Sequence, residues 1–191
     1  MLNKSTEGYF SNSFFQINPQ HTIPTIDDNG FVMWESRPIM AYLVSKYAKN
    51  DCLYPRDARK RGIVDQMLYF DLGYLQENVM KTYMPIVFGR AATPSEENIE
   101  SLEKSFVILN KYLEDNEFLA GDILTIADIS IVVSVNLAVE AFSFDVGRYD
   151  NVAAWYDRCK NALEKFAFTE INQPGNEMVK QMYESNLSVD S

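Results

Sequence analysis

The stretch Ile23-Pro24-Thr25-Ile26-Asp27-Asp28-Asn29-Gly30-Phe31-Val32-Met33-Trp34-Glu35-Ser36-Arg37-Pro38 decides the fold. Ile23 to Ile26 is a short β-type run, Asp27 to Gly30 reads as a turn, and Phe31 to Trp34 is the return strand. Asn-Gly is the strongest two-residue hairpin signal, because both residues accept the left-handed backbone of a tight turn. Residues 17–36 therefore read as strand, turn, strand. The pattern then becomes helical. Ser36 is suited to an N-cap, Pro38 is tolerated in a first turn, and Ile39 to Lys49 follows without a breaker. The chain opens as a hairpin feeding a helix.

Beyond it, Asp51 to Asp57 reads as a linker around Leu53-Tyr54-Pro55. Everything after that is helical in pattern. One long segment spans Ala58 to Phe88, with Pro85 expected to kink its far end. Thr93-Pro94-Ser95-Glu96 reads as a capping box with Thr93 as N-cap. Ile99, Leu102, Phe106, Leu109 and Leu113 follow at helical spacing and predict one buried stripe. Thr125-Ile126-Ala127-Asp128 is a second capping box, with Thr125 and Asp128 as its structural pair, opening the most apolar helix of the chain. Tyr149 to Glu164 is amphipathic and presents Val152, Trp155 and Tyr156. The polar tail from Asn172 predicts only a short helix around Glu177 to Tyr183. The fold class is α+β, mostly α. A small lobe over residues 1–50 is joined by a linker, 51–57, to an all-helical domain over 58–191.

Composition narrows the function classes. The 191 residues are 47% apolar and 23% charged, ordinary values for a packed protein. With 27 acidic and 17 basic residues the formal net charge is −10, which argues against nucleic acid and anionic membranes as partners. An anionic ligand would need a local positive site. His21 is the single histidine, so no multi-histidine metal site can be built by one chain. Cys52 and Cys159 lie far apart and read as reduced thiols. Met1 to Glu7 lacks the apolar core of a signal peptide, and Ile129 to Phe142 is too short to span a bilayer. A cytoplasmic protein is expected.

Four segments, in order, carry a family resemblance: Ile17-Asn18-Pro19-Gln20-His21-Thr22-Ile23-Pro24-Thr25, Trp34-Glu35-Ser36-Arg37, Ala41-Tyr42-Leu43-Val44-Ser45-Lys46-Tyr47, and Leu119-Ala120-Gly121-Asp122 with Leu124-Thr125-Ile126-Ala127-Asp128. Together they resemble a cytosolic glutathione S-transferase of the insect delta class, with the epsilon class next nearest. The resemblance implies a thioredoxin-like N-terminal domain, a helical C-terminal domain and a homodimer. Its substrates would be glutathione and hydrophobic electrophiles, with no metal. The family's N-terminal domain opens with a strand–helix–strand unit that bears the delta-class catalytic serine. Such a unit takes roughly 30 residues, whereas 20 residues precede His21. A truncated N-terminal lobe lacking that unit is expected, with no catalytic serine. Ser5, Ser11 and Ser13 stand too close to His21 for the role.

The resemblance also assigns residues. Glu35, Ser36 and Arg37 would hold the γ-glutamyl end of glutathione, Glu35 facing its amine. On charge pattern alone, Glu35 and Arg37 read as a solvated helix start, and Ser36 as a plain cap. Ile23-Pro24 would be cis, presenting the Ile23 backbone to the cysteinyl unit. His21 would contact the glycyl end or its neighbour, and Thr22 would be a further glutathione contact. Leu72, Gln76, Val79, Tyr83, Met84 and Phe88 would line the pocket for the electrophile, although each can equally be core. The implied reaction is attack by the glutathione thiolate on an electrophilic centre. A non-catalytic protein that binds glutathione or hydrophobic ligands is the alternative, because the serine segment is absent.

Overall fold

The computed structural model describes residues 12–187. Ser5 and Ser11 lie outside the described residues, as does the side chain of Ser13. The chain divides into two compact units, one ending at Tyr54 and the other beginning at Pro55.

The first unit holds α1 (Asn12–Ile17), β1 (Thr25–Asp28), β2 (Phe31–Trp34) and α2 (Ser36–Tyr47). Ile17 ends a helix rather than starting a strand, and residues 18–24 form a loop. The two strands pair antiparallel, with Thr25 opposite Trp34 and Asp28 opposite Phe31. Asn29 and Gly30 alone make the reversal, with φ of 55° and 89°. Two left-handed residues suffice for a tight hairpin, so Asp27 and Asp28 stay in the strand instead of the turn expected for them. Asp27 Oδ1 accepts the Gly30 N–H at 2.7 Å and closes that end.

Helix α2 is clamped to the closed end of the hairpin by Asp28. Its Oδ2 accepts from Tyr42 Oη at 2.7 Å, Lys46 Nζ at 2.7 Å and Tyr47 Oη at 2.6 Å. The Phe31 and Tyr42 rings meet at 5.0 Å. Ile39, in the first half of α2, is buried. Because α2 starts where β2 stops and is tied back at the turn, its N-terminus belongs to the open end of the hairpin.

The second unit is all helical. Its first helix, α3 (Ala58–Phe70), is capped by Asp57, which accepts from the Arg59 and Lys60 N–H groups. The expected single helix over 58–88 is interrupted by a wider π-type turn at Asp71–Leu75 before α4 (Gln76–Val87). At this turn the fully buried Asp71 takes hydrogen bonds from Ser130 at 2.6 Å and Ser134 at 2.9 Å. Pro85 lies inside the last turn of α4, and its carbonyl accepts from Arg90 and Ala91.

Helix α5 (Glu96–Tyr112) is capped by Ser95, not Thr93, because the Ser95 hydroxyl takes the Asn98 N–H. Leu102, Phe106, Leu109 and Leu113 form the buried stripe, while Ile99 is exposed. The apolar helix α6 (Ile126–Phe142) occupies the centre, with Ile131, Val132 and Val135 fully buried. A helix apolar on most faces is stable only where neighbours surround it. Helix α7 (Asp150–Glu164) buries Val152, Trp155, Tyr156 and Cys159.

The tail is one 19-residue helix, α8 (Phe168–Asn186), much longer than its polar composition predicts. It packs on α4 and α6. Tyr183 meets Phe142 at 5.1 Å, and Phe142 stacks on Tyr83 at 4.2 Å. Docking of one face, rather than propensity, holds it despite Pro174 in its interior.

At the entry to α6, the Thr125–Asp128 capping box is closed in both directions. Asp128 does more than cap. It also accepts the Leu119 N–H at 2.9 Å and the Trp155 indole N–H at 2.9 Å. One fully buried carboxylate therefore joins the loop before α6, the cap and α7.

Candidate functional site

The hairpin register builds the site. With Thr25 opposite Trp34, the residues just before Thr25 and just after Trp34 leave the same end of the sheet. Those are His21 to Pro24 on one side and Glu35 to Arg37 on the other. Directly opposed antiparallel residues have Cα atoms about 4.5–5.5 Å apart, so the two segments begin side by side.

The first segment is shaped by Asn18, which is fully buried. Its Nδ2 donates to the Thr22 carbonyl at 3.0 Å, the Thr22 hydroxyl at 3.2 Å and the Thr25 hydroxyl at 2.9 Å. Its Oδ1 accepts the Gln20 N–H at 2.9 Å, and its carbonyl accepts the His21 N–H at 3.0 Å. The last bond closes a turn with Pro19 at its second position, where proline's fixed φ fits. Thr25 completes the web by donating its hydroxyl to the Thr22 carbonyl at 2.8 Å. The loop thus held presents a cis Ile23-Pro24 bond and an Ile23 that is 64% exposed. His21 adopts a left-handed φ of 54°, is half-buried, and packs edge-on against Phe15 at 4.9 Å. Asn18 has no role legible in the sequence, since a buried amide in a loop leaves no periodic trace and its one signal is the Asn-Pro turn start.

The second segment turns sharply. Glu35 has φ 73° and ψ 116°, a left-handed conformation for a residue with a side chain. Such a backbone costs of order 1–3 kcal/mol and persists where its surroundings enforce it. Here it converts β2 into α2 within one residue. Glu35, not Ser36, occupies the N-cap position, and no side chain caps the helix. Ser36 is the first helical residue, because the chain is already turning there. The first turn carries no acidic residue, and Pro38 has no N–H, so the Ser36 and Arg37 amides define the positive end of the helix dipole. Glu35 is exposed and Arg37 is buried. The solvated reading of Arg37 is therefore corrected: its side chain is buried at the start of α2. Together the two segments offer exposed β-type backbone at Ile23, a hydroxyl at Ser36, a cation at Arg37 and an uncapped helix N-terminus. That set suits a small peptide with a free carboxylate.

In the second unit the expected electrophile residues separate. Leu72 and Phe88 are exposed, whereas Gln76 and Met84 are half-buried. Val79 is 1% exposed and Tyr83 is 8% exposed. Tyr83 belongs to the aromatic cluster with Phe142 and Tyr183, and burial pushes its hydroxyl up to about 12. Tyr83 is thus packed between Phe142 of α6 and Tyr183 of α8, and Val79 is buried as well.

Among the described residues, no group of three or more His, Cys, Asp and Glu side chains could hold a metal. No helix among them is long and apolar enough to cross a membrane.

The chain matches two family profiles. Residues 5–51 match the glutathione S-transferase N-terminal domain, and residues 75–162 match the glutathione S-transferase C-terminal domain. It is similar to a glutathione transferase of Bombyx mori at 40% identity and TM-score 0.87, covering 92% of this chain and 80% of that one. A delta-class glutathione transferase of Nilaparvata lugens is 39% identical at TM-score 0.87, over 95% of this chain and 84% of that one. An epsilon-class enzyme of the housefly Musca domestica is 37% identical at TM-score 0.84, over 95% and 83% respectively.

Proposed function

The chain belongs to the glutathione S-transferase family, and we propose that it binds glutathione at the open end of its hairpin and directs the thiol toward hydrophobic electrophiles. The observation that carries this reading is the Thr25–Trp34 pairing, which sets the Ile23-Pro24 loop beside the uncapped start of α2. In this reading the Ile23 backbone pairs with the cysteinyl unit. Ser36 and the first-turn amides of α2 hold the γ-glutamyl carboxylate, and Glu35 faces the amine. Arg37 supplies positive charge, His21 contacts the glycyl end or its neighbour, and Thr22 is a further contact. Each charge-assisted bond would contribute about 1.5–3 kcal/mol. Leu72, Gln76, Met84 and Phe88 form the face offered to the co-substrate, in a delta-class cytoplasmic homodimer.

The proposed reaction is a nucleophilic substitution or addition. The glutathione thiol loses its proton to solvent and the thiolate forms a C–S bond. With a substrate such as an aryl halide, the halide leaves with its bonding electrons. The enzyme's task is to favour the thiolate, and each pKa unit of lowering corresponds to about 1.4 kcal/mol.

One observation favours binding without activation as the second reading. At the open end of the hairpin the Thr25 hydroxyl already donates its proton to the Thr22 carbonyl, and the Ser36 hydroxyl is taken in this reading by the γ-glutamyl carboxylate. They are therefore not available to a thiolate. An ultraviolet thiolate titration of glutathione in the presence of the chain separates the readings. A bound thiol shifted toward neutrality supports the transferase; a bound thiol with its ordinary pKa supports the binding protein.

A further inference from the structure

Helix α8 turns a polar face toward α6 and α7. Asn172, Asn176 and Lys180 lie one helical turn apart, with Thr169, Gln173 and Glu177 alongside, and all six line a cavity of about 390 Å³. Ile171, Met178 and Met182, which a docked helix would ordinarily bury, are exposed instead. Asn136 and Glu140 from α6 and Lys160 from α7 complete the lining, so every residue that lines it carries a polar side chain. The volume lies within the range of small-molecule sites.

The lining carries unspent hydrogen-bonding capacity of both signs. Asn136, on the floor, is 5% exposed. Its Oδ1 accepts from Asn176 at 2.6 Å and its Nδ2 donates to Tyr156 Oη at 2.8 Å. Its second amide hydrogen takes no partner among the described residues. The nearest carboxylate oxygen to Lys160 Nζ is Glu140 Oε1 at 3.7 Å, and the nearest to Lys180 Nζ is Glu184 Oε1 at 3.9 Å. Both pairs are too long for hydrogen bonds. Among the described residues, Glu177 accepts only from Gln173 Nε2, at 2.7 Å.

We propose that this crevice binds a small zwitterion of amino-acid or dipeptide size. Lys160 and Lys180 take its carboxylate, Glu140 or Glu177 takes its ammonium, and the asparagine amides pair with its peptide group. An inorganic anion fits less well, because two carboxylates share the lining with two lysines. A sugar would use the amides and leave both lysines without a carboxylate at hydrogen-bond distance.

The test uses the full chain with glycylglycine as the zwitterionic probe and N-acetylglycylglycine amide as its uncharged counterpart. Side-chain amide signals of Asn136, Asn172, Gln173 and Asn176 are followed by NMR. Glycylglycine is expected to shift them saturably at about 1–10 mM, and the uncharged analogue is not. Two exposed-residue variants, Glu177→Gln and Lys180→Gln, should each weaken binding by about fivefold. Glu100→Gln, on the distant α5, should leave it unchanged. The proposal is overturned by no saturable shift up to about 20 mM, by equal binding of the uncharged analogue, by insensitivity to both variants, or by shifts confined to residues 21–37.

Discussion

Asp128 gives the sharpest energetic test, because replacing it by alanine strands several donors at once. Its Oδ1 accepts from Leu119 N and Trp155 Nε1, and its Oδ2 from Thr125 N at 2.8 Å and Thr125 Oγ1 at 3.0 Å. The Thr125 hydroxyl can rotate to another partner, but the three N–H groups cannot. A buried donor left without a partner costs about 1–3 kcal/mol. Three give about 3 kcal/mol at the lower limit, and water entering the vacated volume keeps the total near that end, at about 4 kcal/mol. Thr125→Ala removes the cap alone and should cost about 1 kcal/mol. With a urea m-value of about 2 kcal/mol/M, the midpoints should fall by about 2 M for Asp128→Ala and about 0.5 M for Thr125→Ala. Far-ultraviolet circular dichroism follows the helical unit, and Trp155 fluorescence reports the broken indole bond directly. Equal midpoints for the two variants would refute the claim that Asp128 joins three elements rather than capping one.

Three further outcomes follow from the same physics. Asn18→Ala should abolish glutathione binding while leaving the helical unit's urea midpoint unchanged, since Asn18 ties only the 18–25 loop; retained binding would mean that the loop holds its shape without the amide. Hydrogen bonds from Lys46, then Tyr47 and Tyr42, hold the Asp28 carboxyl well below its ordinary value of 3.8. That contribution is present above the ordinary value and is lost as pH falls through it toward the depressed folded value, so hydrogen-exchange protection factors in the hairpin should fall below about pH 4, and Asp28→Asn should remove this acid dependence. Cys52 is exposed, whereas Cys159 is buried and burial pushes its thiol up, so one thiol should react with an aromatic disulfide reagent in the folded protein and two in denaturant.

The elements that were legible in sequence are those whose signal is local. Asn29-Gly30 announces the hairpin, and Thr125 with Asp128 announces the start of α6, because turn and cap chemistry act within four residues. The stripe of α5 was readable from Leu102 to Leu113 for the same reason. What escaped depends on contacts distant in sequence. Helix α8 is held by Phe142 and Tyr83 through Tyr183, against a polar composition and an internal Pro174. The π-type turn follows from Asp71 reaching Ser130 and Ser134 on another helix. In the candidate site, the motif residues were legible only through family resemblance. The buried Arg37 and the Asn18 web were not, because which polar side chain turns inward depends on the packed lobe. The electrophile residues likewise came through the resemblance, and the burial of Val79 and Tyr83 depends on packing that no local signal specifies.

The central claim is that glutathione binds at the open end of the hairpin. Backbone amide NMR during a glutathione titration tests it most directly. Saturable shifts are expected at Ile23, Ser36 and Arg37, spreading no further than residues 18–25 and 35–39, with binding weakened about tenfold in Ser36→Ala. Saturable binding that leaves those amides unmoved, or no binding at all, would contradict it.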